Sequence, residues 1–163
     1  MEGYIEKVLL KYGLTKPTHT QLTPHRHREI KYGATHKLIP AEDNIPALDA
    51  AGVKRIQAII GALLYYAQAV EKKKLVVLSV IGAKQAAATE DTYTSTKQLL
   101  DYVDTYPNDG IIYHSIKMVL SSHAESGLHN ESKGRSQGGA HIFLSDNDPE
   151  PRRNGPVLTI SRG

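Results

Sequence analysis

The sequence has no cysteine and no tryptophan, and its only phenylalanine is Phe143. Without thiols it has no disulfide framework, no thiol nucleophile and no thiolate metal site, and a reducing compartment is compatible with that. The nine tyrosines carry a hydroxyl that tolerates a partly wet position, so the core must be aliphatic, built from Ile, Leu, Val and Ala. No apolar run approaches the ~18 residues of a membrane span. Residues 1–7 lack the basic and then apolar layout of a signal peptide. These absences lead us to expect a cytosolic or nuclear chain with no membrane partner.

Charge of one sign is scarce as well. Lys and Arg outnumber Asp and Glu by 20 to 17, a mild bias that permits a polyanionic partner without pointing to one. With 40% hydrophobic and 23% charged residues, most of the chain is expected to fold. Its 163 residues suffice for one or two small units. They are too few for a polymerase of palm, fingers and thumb.

Periodicity organises the chain into three parts, 1–48, 49–110 and 111–163. In the first, Tyr4, Ile5, Val8, Leu9 and Tyr12 stand at helical spacing and stop at Gly13. Pro17, Pro24, Pro40 and Pro46 then mark a long arm or linker. In the second, Asp49 predicts an N-cap for a helix through Val70, with Ile56, Ile59, Ile60, Leu63 and Ala67 on its apolar stripe. Residues 75–88 are apolar almost all round, and their length favours a buried helix although Val76, Val77, Val80 and Ile81 also suit a strand. Thr89 predicts the cap of a further helix, with Glu90 and Asp91 in its first turn, closed by the Pro107-Asn108-Asp109-Gly110 turn. In the third part, residues 111–114, 118–122, 140–145 and 157–160 predict short strands. Helices followed by strands give an α+β class.

Few constellations carry chemistry. His25-Arg26-His27-Arg28 places two histidines on one face of an extended segment, but no third ligand stands at a recognisable spacing. We read it as a solvated basic loop and expect no metal and no bound cofactor. Lys72, Lys73 and Lys74 read as a solvated helix junction whose ammonium groups could contact a phosphate backbone. Glu42-Asp43, the Asp101 and Asp104 pair, and Asp146-Asn147-Asp148 lack a complementary acid, base or metal loop. The glycines spell neither a phosphate-binding loop nor a dinucleotide fingerprint, and Ser136 has no nucleophile elbow around it. Glu125 is more informative. It follows a strand predicted over 118–124 and precedes a turn and a second strand beginning near Gly138, the kind of position where two-metal nucleases hold their first carboxylate.

The order of these segments resembles copia-type retrotransposon polyproteins, read from the end of the reverse transcriptase into RNase H. Residues 3–13 look like the helix just after the polymerase palm, followed by an arm containing Thr23-Pro24. Residues 55–67 are similar to a hallmark helix of the family, whose glycine and aromatic positions match Gly61 and Tyr65. Leu99-Leu100-Asp101-Tyr102-Val103 and then Gly110-Ile111-Ile112-Tyr113 resemble the next helix and the strand that opens RNase H. Residues 118–126 and 135–144 look like the first RNase H strands and their turn.

The resemblance implies a helical connection segment followed by a partial antiparallel RNase H-like sheet. It places the family's metal-binding aspartate on Glu125, where the extra methylene displaces the carboxylate from a site that depends on short, fixed ion spacing. It further implies that the chain stops at Gly163 before the remaining acids, and that the tyrosine-x-aspartate-aspartate signature lies upstream. We therefore expect a fragment or relic without catalysis of its own, whose parent would use Mg²⁺ for RNA-directed DNA synthesis and RNA–DNA hybrid cleavage. Its partner would be the polymerase palm. The alternative is a co-opted module that binds hybrid or DNA weakly through Lys72, Lys73, Lys74, Lys133 and Arg135, or a protein-interaction element.

Overall fold

The computed structural model describes residues 3–13, 17, 19–26, 45–127, 136–148 and 154–162. The chain divides between Asp109 and Gly110 into two compact units, one helical and one built on a sheet.

The helical unit contains α1 (Tyr4–Lys11), α2 (Ala50–Ala69), α3 (Leu75–Lys84) and α4 (Glu90–Thr105). Gly13, at φ 63°, takes the left-handed conformation that ends a helix and donates to the Leu10 carbonyl at 3.1 Å. The Asp49 side chain accepts from the Gly52 amide at 2.7 Å, which satisfies one orphan donor at the start of α2. At the start of α4 the Thr92 hydroxyl accepts from the Thr89 amide at 3.2 Å.

One aliphatic cluster joins all four helices, with Ile5, Ile56, Leu63, Leu78, Leu99 and Val103 among its buried members. The helix α1, grouped with the arm in the sequence reading, thus belongs to the same core as α2 to α4. Part of the expected linker is docked as well. The Gln21 amide donates to Thr105 Oγ1 at 3.1 Å, and Gln98 Nε2 donates to the Thr23 carbonyl at 3.2 Å. The helix predicted over 75–88 ends earlier, at Lys84, and a 3₁₀ turn at Gln85–Ala87 follows. Ala88 leaves helical space because its carbonyl accepts from the Leu48 amide at 3.0 Å, beside an antiparallel bridge between Ala47 and Thr89.

The second unit holds β1 (Val119–Gly127), β2 (Gln137–Ser145) and β3 (Pro156–Arg162), an antiparallel sheet in the order β1-β2-β3. Two sequence expectations change here. Residues 111–114 form no ladder strand among the described residues: the Ile112 carbonyl accepts from the Gly155 amide at 3.1 Å, and a side chain takes over the pairing of His114. Asn154 Oδ1 accepts from the His114 amide at 2.8 Å, and Asn154 Nδ2 donates to the His114 carbonyl at 3.2 Å. The strand predicted from Met118 begins at Val119, since Met118 sits at φ 63°, outside β space. It runs to Gly127, so Glu125 lies inside the strand and not beyond its end.

Residues directly opposite in the register share a face, and successive residues alternate. One face therefore carries Leu120 with Leu144, Ser122 with Ile142 and Leu158, and Ala124 with Ala140 and Ile160. This apolar face is open, with Leu120 69% and Leu158 48% exposed. The other carries Ser121 with Phe143, His123 with His141 and Thr159, and Glu125 with Gly139 and Ser161. Phe143 and Ser145 on that face are fully buried.

Candidate functional site

The polar face of the sheet holds the one acid that the sequence singled out. Glu125 is exposed on β1, opposite Gly139 and one row from His123 and His141. Its row contains no second carboxylate: Gly139 offers no side chain and Ser161 offers a hydroxyl. Among the described residues no three His, Cys, Asp or Glu side chains are grouped so as to hold a metal ion. A two-metal mechanism needs several converging carboxylates, and the described surroundings of Glu125 supply imidazoles in their place.

The two histidines are held by the sheet's only aromatic residue. His123 stacks on Phe143 with ring centroids 5.3 Å apart and planes 22° apart. His141 meets the same ring at 5.4 Å and 42°. Sequence reading missed this pair because residues 123 and 141 are joined only by register. The alternation of Ser121, His123 and Glu125 along β1 was the available signal.

The lysine run is not one solvated patch. Lys72, Lys73 and Lys74 form a 3₁₀ turn capped by Glu71, whose side chain accepts from the Lys73 amide at 2.9 Å. Lys74 is buried and its ammonium is ion-paired with the equally buried Glu71. The same ammonium lies 5.8 Å from the Tyr66 ring centre and 5.6 Å from that of Tyr102. Its place in the structure is internal, enclosed with Glu71 between the rings of Tyr66 on α2 and Tyr102 on α4. Lys73 is exposed and faces Asp109 at 3.5 Å. Lys72 is half-buried and has its own interaction. Lys133 and Arg135 lie outside the described residues.

Tyrosines surround this buried pair. The Tyr66 hydroxyl donates to the Asp109 carbonyl at 3.2 Å, and its ring stacks on Tyr4 at 5.8 Å. Burial raises the Tyr66 hydroxyl above its usual value, and the carboxylates of Glu71 and Asp109 push it further. Burial does the same to Tyr102, again with Asp109 and Glu71 adding to the effect. Both phenols therefore stay protonated at neutral pH; Tyr66 serves as a donor, and both rings present their faces to the Lys74 cation.

The remaining candidates are dispersed. The His25 ring donates from Nδ1 to the Arg26 carbonyl at 3.1 Å, and Arg26 pairs with Asp91 at 3.7 Å. His27 and Arg28 lie outside the described residues. Asp146 accepts from the Lys117 amide at 2.8 Å, a turn-closing contact. An open hollow of about 290 Å³ at the start of α2 is lined by Leu48, Ala51, Gly52, Arg55, Glu90 and Tyr93. Gly61 and Tyr65, the hallmark positions of the resemblance, are both exposed on α2.

Set against protein-family models, curated proteins and solved structures, the chain finds no match in any of the three. No helix among the described residues is long and apolar enough to cross a membrane.

Proposed function

We propose that the chain is a non-catalytic portion of a copia-type retrotransposon polyprotein, in which a helical connection segment leads into an RNase H-like sheet. The observation that carries this reading is architectural. Four helices close at Asp109, and an antiparallel meander follows whose first strand bears Glu125. This matches the order the resemblance implies for the helices and for the strands from residue 118 onward, but not for its opening strand at 110–113, which forms no ladder strand among the described residues.

The chemistry around Glu125 supports the non-catalytic half of the proposal. A carboxylate flanked by His123, His141, Gly139 and Ser161 presents borderline imidazole nitrogens where paired hard Mg²⁺ ions need oxygen. In the parent polyprotein the Mg²⁺ chemistry and the polymerase palm would come from other segments. The binding-module alternative has less support, since Lys74 is internal and Lys73 faces Asp109.

The test is an RNase H assay on an RNA–DNA hybrid with Mg²⁺ or Mn²⁺. The expected result is no turnover. Cleavage by the wild type that disappears in Glu125→Ala would overturn the reading. A parallel titration of hybrid at rising salt distinguishes the alternative, because binding through phosphate contacts weakens steeply with salt.

A further inference from the structure

We propose that His123 and His141 form a binding site for a borderline transition-metal ion, of the class of Zn²⁺, Cu²⁺ or Ni²⁺, on the polar face of the sheet. The two residues are direct register partners on β1 and β2, so their imidazoles leave neighbouring strands on the same side with Cβ atoms about 5 Å apart. That spacing allows one ion to bridge them. Neutral imidazole is a favoured ligand for these metals, whereas Mg²⁺ and Ca²⁺ prefer oxygen.

Three further features belong to a site more than to a surface. Phe143 is fully buried and touches both rings, which limits their rotation and lowers the entropy lost on chelation. The next row along has Gly139 at its centre, between Glu125 and Ser161. Among the described residues a side chain there would meet only the Ile160 carbonyl, at 3.5 Å, so on that side the floor beside the histidines is open to an ion and its waters. Finally, Thr159 completes the histidine row on β3, and its hydroxyl oxygen is buried without a hydrogen-bond partner. A buried polar atom without a partner is costly and calls for an explanation. A small turn of the Thr159 side chain on metal binding would bring this oxygen to a metal-bound water beside His141.

Because no three His, Cys, Asp or Glu side chains are grouped for a metal among the described residues, two imidazoles provide the protein ligands. Water fills the other positions, and Glu125 lies one row away to accept a hydrogen bond from it. The inference does not rest on the retroelement reading, since it uses residues that a Mg²⁺ nuclease would not.

The experiment is a titration of the full chain with Zn²⁺, Ni²⁺ or Cu²⁺ by calorimetry, with electron paramagnetic resonance of the Cu²⁺ form. The expected result is one saturable site showing two nitrogen ligands, unaffected by millimolar Mg²⁺. His123→Ala and His141→Ala should each weaken it by at least about tenfold, and the double variant should abolish it. His25→Ala should leave it unchanged. Far-UV circular dichroism confirms that the variants fold, and His123→Asn serves where His123→Ala does not. No saturable binding, binding that survives the double variant, or loss on His25→Ala would overturn the proposal.

Discussion

Lys74 and Glu71 are buried together, three residues apart, with the Lys74 ammonium enclosed by the rings of Tyr66 and Tyr102. Removing one charge from such a pair leaves the other stranded in a medium that solvates it poorly. Glu71→Gln keeps an acceptor for the Lys73 amide yet strands the cation, and should cost about 3–5 kcal/mol. Adding Lys74→Met to it should recover most of that loss, since an uncharged pair owes no desolvation penalty. Urea denaturation of the three proteins measures this. Additive losses in the double variant would mean that the two charges do not act as a pair.

Asp101 provides a pH signature. Burial raises its carboxyl above the ordinary 3.8, Lys97 pulls it down by less, and Asp104 pushes it up again. The folded state therefore holds this proton more tightly than the unfolded chain does. Its contribution is fully present below pH 3.8 and is lost as pH rises through the raised folded value. Asp101→Asn should accordingly raise the urea midpoint at pH 7 and leave it unchanged near pH 3. A gain of equal size at both pH values would contradict the assignment.

Gly61 lies exposed in the middle of α2, and a Cβ there meets nothing within 4 Å among the described residues. An exposed glycine inside a helix costs about 1 kcal/mol relative to alanine. Gly61→Ala should therefore stabilise the helical unit by about that amount in thermal or urea melts. Destabilisation would instead indicate that a backbone approaches this position closely in solution.

Gly155 is the opposite case. A Cβ at this position would lie 2.5 Å from Ile111 Cγ2 and 2.7 Å from the Tyr113 ring, well inside contact distance. Gly155→Ala should destabilise the sheet unit by about 1–3 kcal/mol through overpacking. Ile111→Ala combined with it removes one of the clashing groups and should restore part of the loss, as read by hydrogen exchange of the β2 amides.

The apolar sheet face predicts behaviour at high concentration. Leu120 on β1 and Leu158 and Ile160 on β3 are exposed on one face, on either side of β2, and exposed apolar faces next to sheet edges favour association. Leu120→Lys with Leu158→Lys should lower light scattering with no loss of circular dichroism signal. Unchanged scattering would locate the sticky surface elsewhere.

The helices were more legible than the sheet. Asp49, Thr89 and the stripe from Ile56 to Ala67 carry local signals, a capping oxygen and a 3.6-residue period, and these act within one segment. The early end of α3 was not legible, because it depends on Leu48 reaching Ala88 from forty residues away. Residues 111–114 have strand-like composition, but Asn154 satisfies the backbone of His114 and Gly155 that of Ile112, and no period encodes that. Glu125 was found because it adjoins a strand-like run over 118–124 that precedes a second one, although β1 extends past it to Gly127. The His123 and His141 pair was not, since only the register between β1 and β2 joins them. Lys74 misled for the opposite reason: Glu71 stands at the right spacing for an ion pair, yet nothing local says that both will be enclosed.

Asp109 closes the helical unit with two separate holds, its carbonyl on the Tyr66 hydroxyl and its carboxylate facing Lys73. A last residue secured twice works as an anchor post for the helix end. Anyone dividing the chain to prepare the helical part should therefore cut after Gly110. A cut only two residues earlier removes the post and leaves Tyr66 without its acceptor, beside the buried pair of Glu71 and Lys74.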